Sequence, residues 1–313
     1  MPQRDRFLLI KAWGNGFWSD TAHVVGQLLI AELTDRIPVI YWGADSLYAS
    51  ERPLIKDAFT MYFLPVSNYT VDHLANENYT FYPSRWNRSN LRLPGTKDLA
   101  DLEDAAIANV FSRSENVVVS NVHIFVHHLI KWIKEDHPAY GLGVWDVYSY
   151  LYKKYLKLQP YLSNEIEDFY LKNMKNKHPI LGVHIRGSDK ISEFPHLYQL
   201  NNSYPAEIDT YLKNNPTASI FLLTDSESIL TKYQQLYGDK LIYTNCIRTQ
   251  NDNVSVHAGL PYHDKKQKGI DVIKDSYLAT KCDHFIGASY SNVSMAIQGL
   301  KVWPEGTIKL IQY

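Results

Sequence analysis

The chain has 313 residues, 45% of them hydrophobic, and carries 32 Lys+Arg against 33 Asp+Glu for a formal net charge of -1. That length exceeds the roughly 250–300 residues at which single cores stop growing, so two cores are expected, while the balanced charge excludes bulk nucleic-acid binding yet permits a small basic pocket for one diphosphate. No apolar run reaches the about 18 residues of a membrane span, the N-terminus lacks a signal-peptide core, and Cys246 and Cys282 are the only cysteines; the expectation is a cytoplasmic protein without an integral membrane segment or a disulfide framework.

In chain order, strands are expected at 6–13, 37–42, 116–121, 180–186, 219–225, 240–244 and 284–289, each a short apolar run bounded by polar residues. Helices are expected at 21–35, 144–158, 163–176, 227–237 and 269–282. Apolar runs alternating with amphipathic helices imply parallel sheets with crossover helices, an α/β fold. Pro160, Ser163 as a helix cap and the polar exit before Pro179 set a boundary near 176. Residues 1–176 and 177–313 then form two Rossmann-like domains facing one cleft, with ligands outside the carboxyl ends of the strands. No internal repeat, low-complexity tract or heptad pattern occurs. The sequons at Asn68, Asn78, Asn87, Asn201, Asn253 and Asn292 are read as chance matches. Of 23 Tyr, 7 Trp and 11 Phe, most rings fill cores; the remainder suit a cleft that stacks on sugars or bases.

Four segments carry chemistry. HIRGSDK, His184 to Lys190, follows a strand. Arg186 can fork two hydrogen bonds onto a diphosphate, Asp189 can orient it, and Lys190 adds a second positive charge; an ordinary surface Arg–Asp pair is the alternative. Thr224, Asp225 and Ser226 end a strand before a helix, where they either cap it or help bind an anion or a ribose hydroxyl. Asp275 lies on a helix, followed by the strand HFIGAS and by Tyr290, Ser291 and Asn292 at a helix start, a place that cradles phosphate oxygens. Gly14, Asn15 and Gly16 form a Gly-rich strand-to-helix loop that allows close approach of a ligand, though the third Gly of a dinucleotide fingerprint is missing. His123, His127 and His128 would stand at i, i+4 if helical, a zinc-binding spacing; a packed or solvated face is the better reading. There is no Asp-x-Asp metal motif, and DLED (101–104) reads as a solvated helix start. No metal or cofactor is expected.

In this order the four segments resemble the α-1,6-fucosyltransferase superfamily, which includes rhizobial nodulation-factor and animal core fucosyltransferases, with protein O-fucosyltransferases as distant relatives. GNGFWSDTAHVV is similar to its Gly-rich loop and first helix, and IPVIYWGADSLY and DAFTMYFLPV to the next part of the nodulation enzymes. LGVHIRGSDK is similar to its H-x-R motif, FLLTDSES to its T-D segment and KDSYLATKCDHFIGASYSNVSMA to its third motif. The resemblance implies a GT-B fold and an inverting, metal-independent transfer of fucose from GDP-fucose to a glycan acceptor. It implies that Arg186 binds the β-phosphate, that the His184 backbone lies against guanine, and that Asp275 accepts from the guanine edge. It places Ser291, with Asn292 beside it, at the phosphate, Thr224 and Asp225 near ribose or base, and Gly14, Asn15 and Gly16 beside the donor. Gly187 stands where animal core enzymes have a second Arg, as in the nodulation enzymes. Glu193, the candidate base, stands one position nearer Lys190 than in the core enzymes. The alternatives are another nucleotide-deoxysugar donor on the same fold, or a non-catalytic glycan-binding protein.

Overall fold

The computed structural model describes residues 6–49, 57–96, 107–120, 122–187, 196–250 and 265–312. The chain divides into two compact units, Met1–Gln159 and Pro160–Tyr313. No helix among the described residues is long and apolar enough to cross a membrane.

The first unit is built on β1 (Phe7–Lys11), wholly buried as its continuous apolar run requires of a strand covered on both faces. It leads through α1 (Phe17–Leu33) to β2 (Ile37–Tyr41). Short β3 (Phe81–Tyr82), α2 (Ile107–Phe111) and β4 (Val117–Val119) follow, then α3 (Val144–Tyr155). The described strands pair in parallel in the order β2-β1-β4-β3. The strand order reverses between β1 and β4, and the Gly-rich loop leaves β1 at that switch point. One face of the sheet packs Phe7, Leu9, Val39, Val117 and Val119 against Val71, Leu74, Trp86 and Leu91. α1 begins earlier than expected, at Phe17, because Phe17 and Trp18 are pulled into the aromatic core: Phe17 makes edge contacts with Trp18, Trp42, Tyr48 and Tyr62.

The second unit opens with α4 (Pro160–Asn173) and continues as β5 (Ile180–Ile185), α5 (Leu197–Asn214), β6 (Ser219–Thr224), α6 (Glu227–Tyr237), β7 (Leu241–Ile242), α7 (Lys265–Ala279), β8 (His284–Ala288), α8 (Asn292–Leu300) and β9 (Ile308–Ile311). The division therefore falls ahead of the boundary expected near 176. α4 packs on α7, and Lys274 Nζ meets Glu165 Oε1 at 2.7 Å. All described strand pairs are parallel, in the order β7-β6-β5-β8-β9. Chain order thus runs outward from β5 to β7 and then jumps back across β5 to β8, the doubly wound pattern with its switch point between β5 and β8. The core on one face joins Leu181, Val183, Ile220, Leu222 and Ile286 to Leu197, Leu200, Tyr204 and Ile208 of α5.

α5 and β9 lie outside the expected elements. Pro205 sits inside α5 and reads as a helix breaker, but the apolar stripe Leu197, Leu200, Tyr204, Ile208 keeps helical spacing, and its burial outweighs the missing N–H. β9 is a half-buried edge strand with too little alternation to stand out. The segment holding His127 and His128 is a pair of single 3-10 turns, 126–128 and 130–132, rather than a helix. The i, i+4 zinc geometry is therefore not formed. His123 instead stacks on His23 with ring centres 5.0 Å apart, while His127 stacks on Phe125.

Candidate functional site

The second unit collects three of the four motifs at the carboxyl ends of its strands. β5 ends at Ile185, so Arg186 and Gly187 emerge beside β6, whose end supplies Thr224, Asp225 and Ser226. Arg186 Nη1 pairs with Asp225 Oδ2 at 2.5 Å, with both side chains 15% exposed. The other Asp225 oxygen accepts the Gly187 N–H at 2.8 Å. Asn201 of α5 donates to the Arg186 carbonyl at 2.8 Å. Asp225 thus fixes both the guanidinium and the backbone behind it, which is how a strand-end Arg becomes an oriented cation rather than a solvated one. Ser226 caps α6, accepting from the Ile229 N–H at 3.3 Å.

Gly187 follows from this packing. A Cβ there would lie 2.6 Å from Ser226 Cβ and 3.0 Å from Ile229 Cδ1, so the residue after Arg186 must be small for the β5 end to reach the α6 cap. The position that carries no second Arg is one where a side chain does not fit.

Across the switch point, β8 feeds α8. Ser291 is the N-cap, yet its side chain makes no capping hydrogen bond; Asn292 is the first helical residue. The N–H groups of the first turn, which have no acceptor within the helix, give this end a positive partial charge beside the Ser291 hydroxyl. His184 ties the two sides together: its Nδ1 and Ser294 Oγ share a hydrogen bond of 2.8 Å, and Ser294 Oγ also accepts the Ala288 N–H at 3.1 Å. Burial pushes the His184 pKa down, with the Arg186 charge adding to it and Asp225 opposing, so the ring is a neutral latch between β5 and α8. Gly287 permits this latch, since a Cβ there would lie 2.4 Å from Ser294 Oγ.

Asp275 sits on α7 beside the segment that follows β7. Thr244 Oγ1 donates to its Oδ1 at 2.6 Å, and the Cys246 thiol to its Oδ2 at 3.7 Å. Burial raises its pKa to about 6 against these donors and the Arg248 charge. Arg248, buried, binds three carbonyls: Thr224 through Nε at 3.1 Å, Cys246 through Nη1 at 3.1 Å and Thr244 through Nη2 at 2.9 Å. A chain of contacts therefore runs Asp275–Thr244–Arg248–Thr224, linking the third motif to the second. Sequence reasoning missed Arg248 and Ser294. Arg248 bonds only to carbonyls and Ser294 to a His 110 positions away, so neither leaves a local pattern.

In the first unit, the Gly-rich loop is closed on itself. The N–H groups of Gly14 and Asn15 donate to the two oxygens of Asp20 at 3.1 and 3.3 Å. Asp20 lies buried in the first turn of α1, where its charge complements the helix dipole. Gly14 has φ +70, and a Cβ would come 2.8 Å from the Asp45 carbonyl oxygen, so glycine is required there by conformation and by space. Gly16 is the N-cap of α1. The loop's glycines are thus accounted for by its own architecture. Asp189, Lys190, Glu193 and the DLED stretch lie outside the described residues. Among the described residues, no group of three or more His, Cys, Asp or Glu could hold a metal ion.

The family model described as "Alpha-(1,6)-fucosyltransferase N- and catalytic domains" matches residues 135–296. No curated protein sequence is significantly similar to the chain. Among solved structures, NodZ alpha-1,6-fucosyltransferase soaked with GDP-fucose aligns with TM-score 0.59 and 18% identity, covering 95% of this chain and 92% of that one; a NodZ structure from Bradyrhizobium aligns almost equally, at 0.58. POFUT1 in complex with GDP-fucose aligns with TM-score 0.55 and 11% identity, covering 99% of both chains. At these identities the likeness establishes the fold, the GT-B class with two Rossmann-like parallel-sheet units.

Proposed function

We infer the reaction from one premise: the chain belongs to the alpha-(1,6)-fucosyltransferase family, whose model it matches over residues 135–296, and it is a glycosyltransferase. We propose that it moves fucose from GDP-fucose to a glycan acceptor, with inversion and without a metal ion. NodZ and POFUT1 share its fold and have been seen with GDP-fucose, which supports that donor here.

The observation that carries the reading is the Arg186–Asp225 pair at the β5 end, with the α8 N-terminus across the switch point. In a single displacement the acceptor oxygen attacks the anomeric carbon as the bond from that carbon to the β-phosphate oxygen breaks. The acceptor proton goes to a base, for which Glu193 is the candidate, and GDP leaves carrying the new charge. A guanidinium already oriented by Asp225 offers its donors where that charge develops, and needs no reorganisation at the moment of reaction. Ser291, Asn292 and the first turn of α8 hold the diphosphate, and Lys190 adds positive charge. Asp275 takes the guanine N1–H and N2–H₂, with Thr224, Asp225 and the His184 backbone on the nucleoside side. Gly14, Asn15 and Gly16 shape the first unit beside the donor by their tight turn, not by free N–H groups, since those of Gly14 and Asn15 are held by Asp20.

The test is a thermal-shift series without added metal. GDP should stabilise the protein, since a ligand at 100 times its Kd contributes about 2.7 kcal/mol, and UDP should do far less. Equal stabilisation by both would remove guanine recognition by Asp275 and favour another nucleotide-sugar donor.

A further inference from the structure

The first unit contains a cavity of about 420 Å³, within the roughly 300–1,000 Å³ of small-molecule sites. Tyr41, the last residue of edge strand β2, lines it, so it lies at the carboxyl end of a parallel strand, where such sheets take ligands. Asp57, Ser67, Tyr69, Asp72 and Arg92 are among its polar and aromatic walls, beside apolar ones that include Phe59 and Val71. None of these residues is called upon by the donor chemistry described above.

The groups are held in place. Asp57 Oδ1 accepts the N–H groups of Trp42 at 2.7 Å and Phe59 at 3.1 Å. Arg92 Nη2 meets Asp72 Oδ1 at 2.6 Å, and its guanidinium carbon lies 5.3 Å from the centre of the Tyr41 ring. Ser67 donates to the Pro38 carbonyl at 2.7 Å and accepts the Tyr69 N–H at 3.4 Å, so its hydroxyl is fixed in the wall. Three ligand classes meet this lining differently. An anion would face two carboxylates, Asp57 and Asp72, against one cation. An apolar molecule would cover the solvated charges of Arg92 and Asp72 without replacing the water they lose, an uncompensated cost. A neutral polyhydroxyl ring offers donors to the carboxylates, acceptors to Arg92, and an apolar face to a tyrosine ring.

We propose that this cavity is a glycan subsite that binds a neutral pyranose ring, a hexose or N-acetylhexosamine, with Asp57 and Arg92 as its paired acceptor and donor. That the ring belongs to the acceptor glycan rests on the glycosyltransferase reading; the pocket chemistry does not.

The experiment is saturation-transfer NMR on the full chain with the methyl glycosides of glucose, galactose, mannose and N-acetylglucosamine, repeated on Asp57→Asn and Arg92→Gln. At least one glycoside should bind the parent protein, and each substitution should weaken binding by about fivefold or more, the scale of one lost hydrogen bond. Absence of any glycoside signal from the parent, or equal signals from parent and both variants, would overturn the proposal. Arg92 is a rim residue with a side chain 42% exposed, so its variant decides the matter if Asp57→Asn fails to fold. GDP added to the same samples reads the donor site separately: a parent that binds glycoside but is not stabilised by GDP fails the donor reading and leaves the pocket standing.

Discussion

Replacing Arg186 with alanine separates two consequences of one ion pair. Folded-state stability comes first. Asp225 would keep the Gly187 N–H at 2.8 Å and lose the guanidinium at 2.5 Å. Breaking a buried pair from one side costs about 3–5 kcal/mol; with 15% exposure at each end and a backbone donor still in place, about 1–3 kcal/mol is expected. At roughly 2–4 °C per kcal/mol for a domain of this size, the melt should move visibly. The rate comes second. Loss of a preorganised cation at the leaving oxygen should lower kcat by about two to four orders of magnitude, roughly 3–5 kcal/mol. Arg186→Lys should recover part of the stability and little of the rate, because an ammonium lacks the planar fork. Adding Asp225→Asn to Arg186→Ala removes the carboxylate charge that Arg186 offsets, so the melt should recover while turnover stays low. Melts and steady-state kinetics on the parent, both singles and the double form one cycle. An Arg186→Ala enzyme turning over like the parent would end the donor-site assignment. Strictly additive melts across the cycle would refute the ion-pair account.

Three further outcomes follow from the same geometry. Gly187→Ala puts a Cβ 2.6 Å from Ser226 Cβ and should cost about 1–3 kcal/mol of overpacking; an unchanged melting temperature would show that the α6 cap moves aside freely. Asp275, raised from 3.8 to about 6 chiefly by burial, must be ionised to accept from guanine, so GDP affinity should fall as pH drops through about 6, towards tenfold per unit, in calorimetric titrations. Its folding contribution has the opposite sense: a raised folded-state pKa gives stability that is present below about 4 and lost as pH rises through about 6, a loss of about 3 kcal/mol. Asp275→Asn should abolish both slopes, and a variant retaining the parent's profiles would assign them to another group. Under the proposed mechanism Arg186 and the α8 N-terminus supply the countercharge, so transfer should persist in EDTA; activity lost on chelation and restored by Mg²⁺ or Mn²⁺ would contradict that proposal.

Much of the architecture is legible in the chain because parallel strands buried on both faces must be written as unbroken apolar runs. FLLIK, ILGVHI and SIFLLT admit few other readings, and amphipathic stretches that follow such runs become α1, α6 and α7. The motif-bearing loops were legible for the same reason, since a polar stretch directly after such a run falls at a strand's carboxyl end. Sequence rules missed α5, where a local breaker, Pro205, was outvoted by Leu197, Leu200, Tyr204 and Ile208 packing into the core, and edge strand β9, which buries too little to show a period.

What joins the motifs is tertiary. Gly187 meets Asp225 across 38 positions and His184 meets Ser294 across 110. These pairs exist because the strand order β7-β6-β5-β8-β9 brings the ends of β5 and β6 side by side and sets α8 beyond the switch point. Local sequence determines where each strand ends and which side chain stands there. Which end lies beside which depends on burial summed over the whole sheet, and that sum decides that Arg186 is gripped by Asp225, that His184 stays neutral against Ser294, and that Gly187 has no room for a side chain.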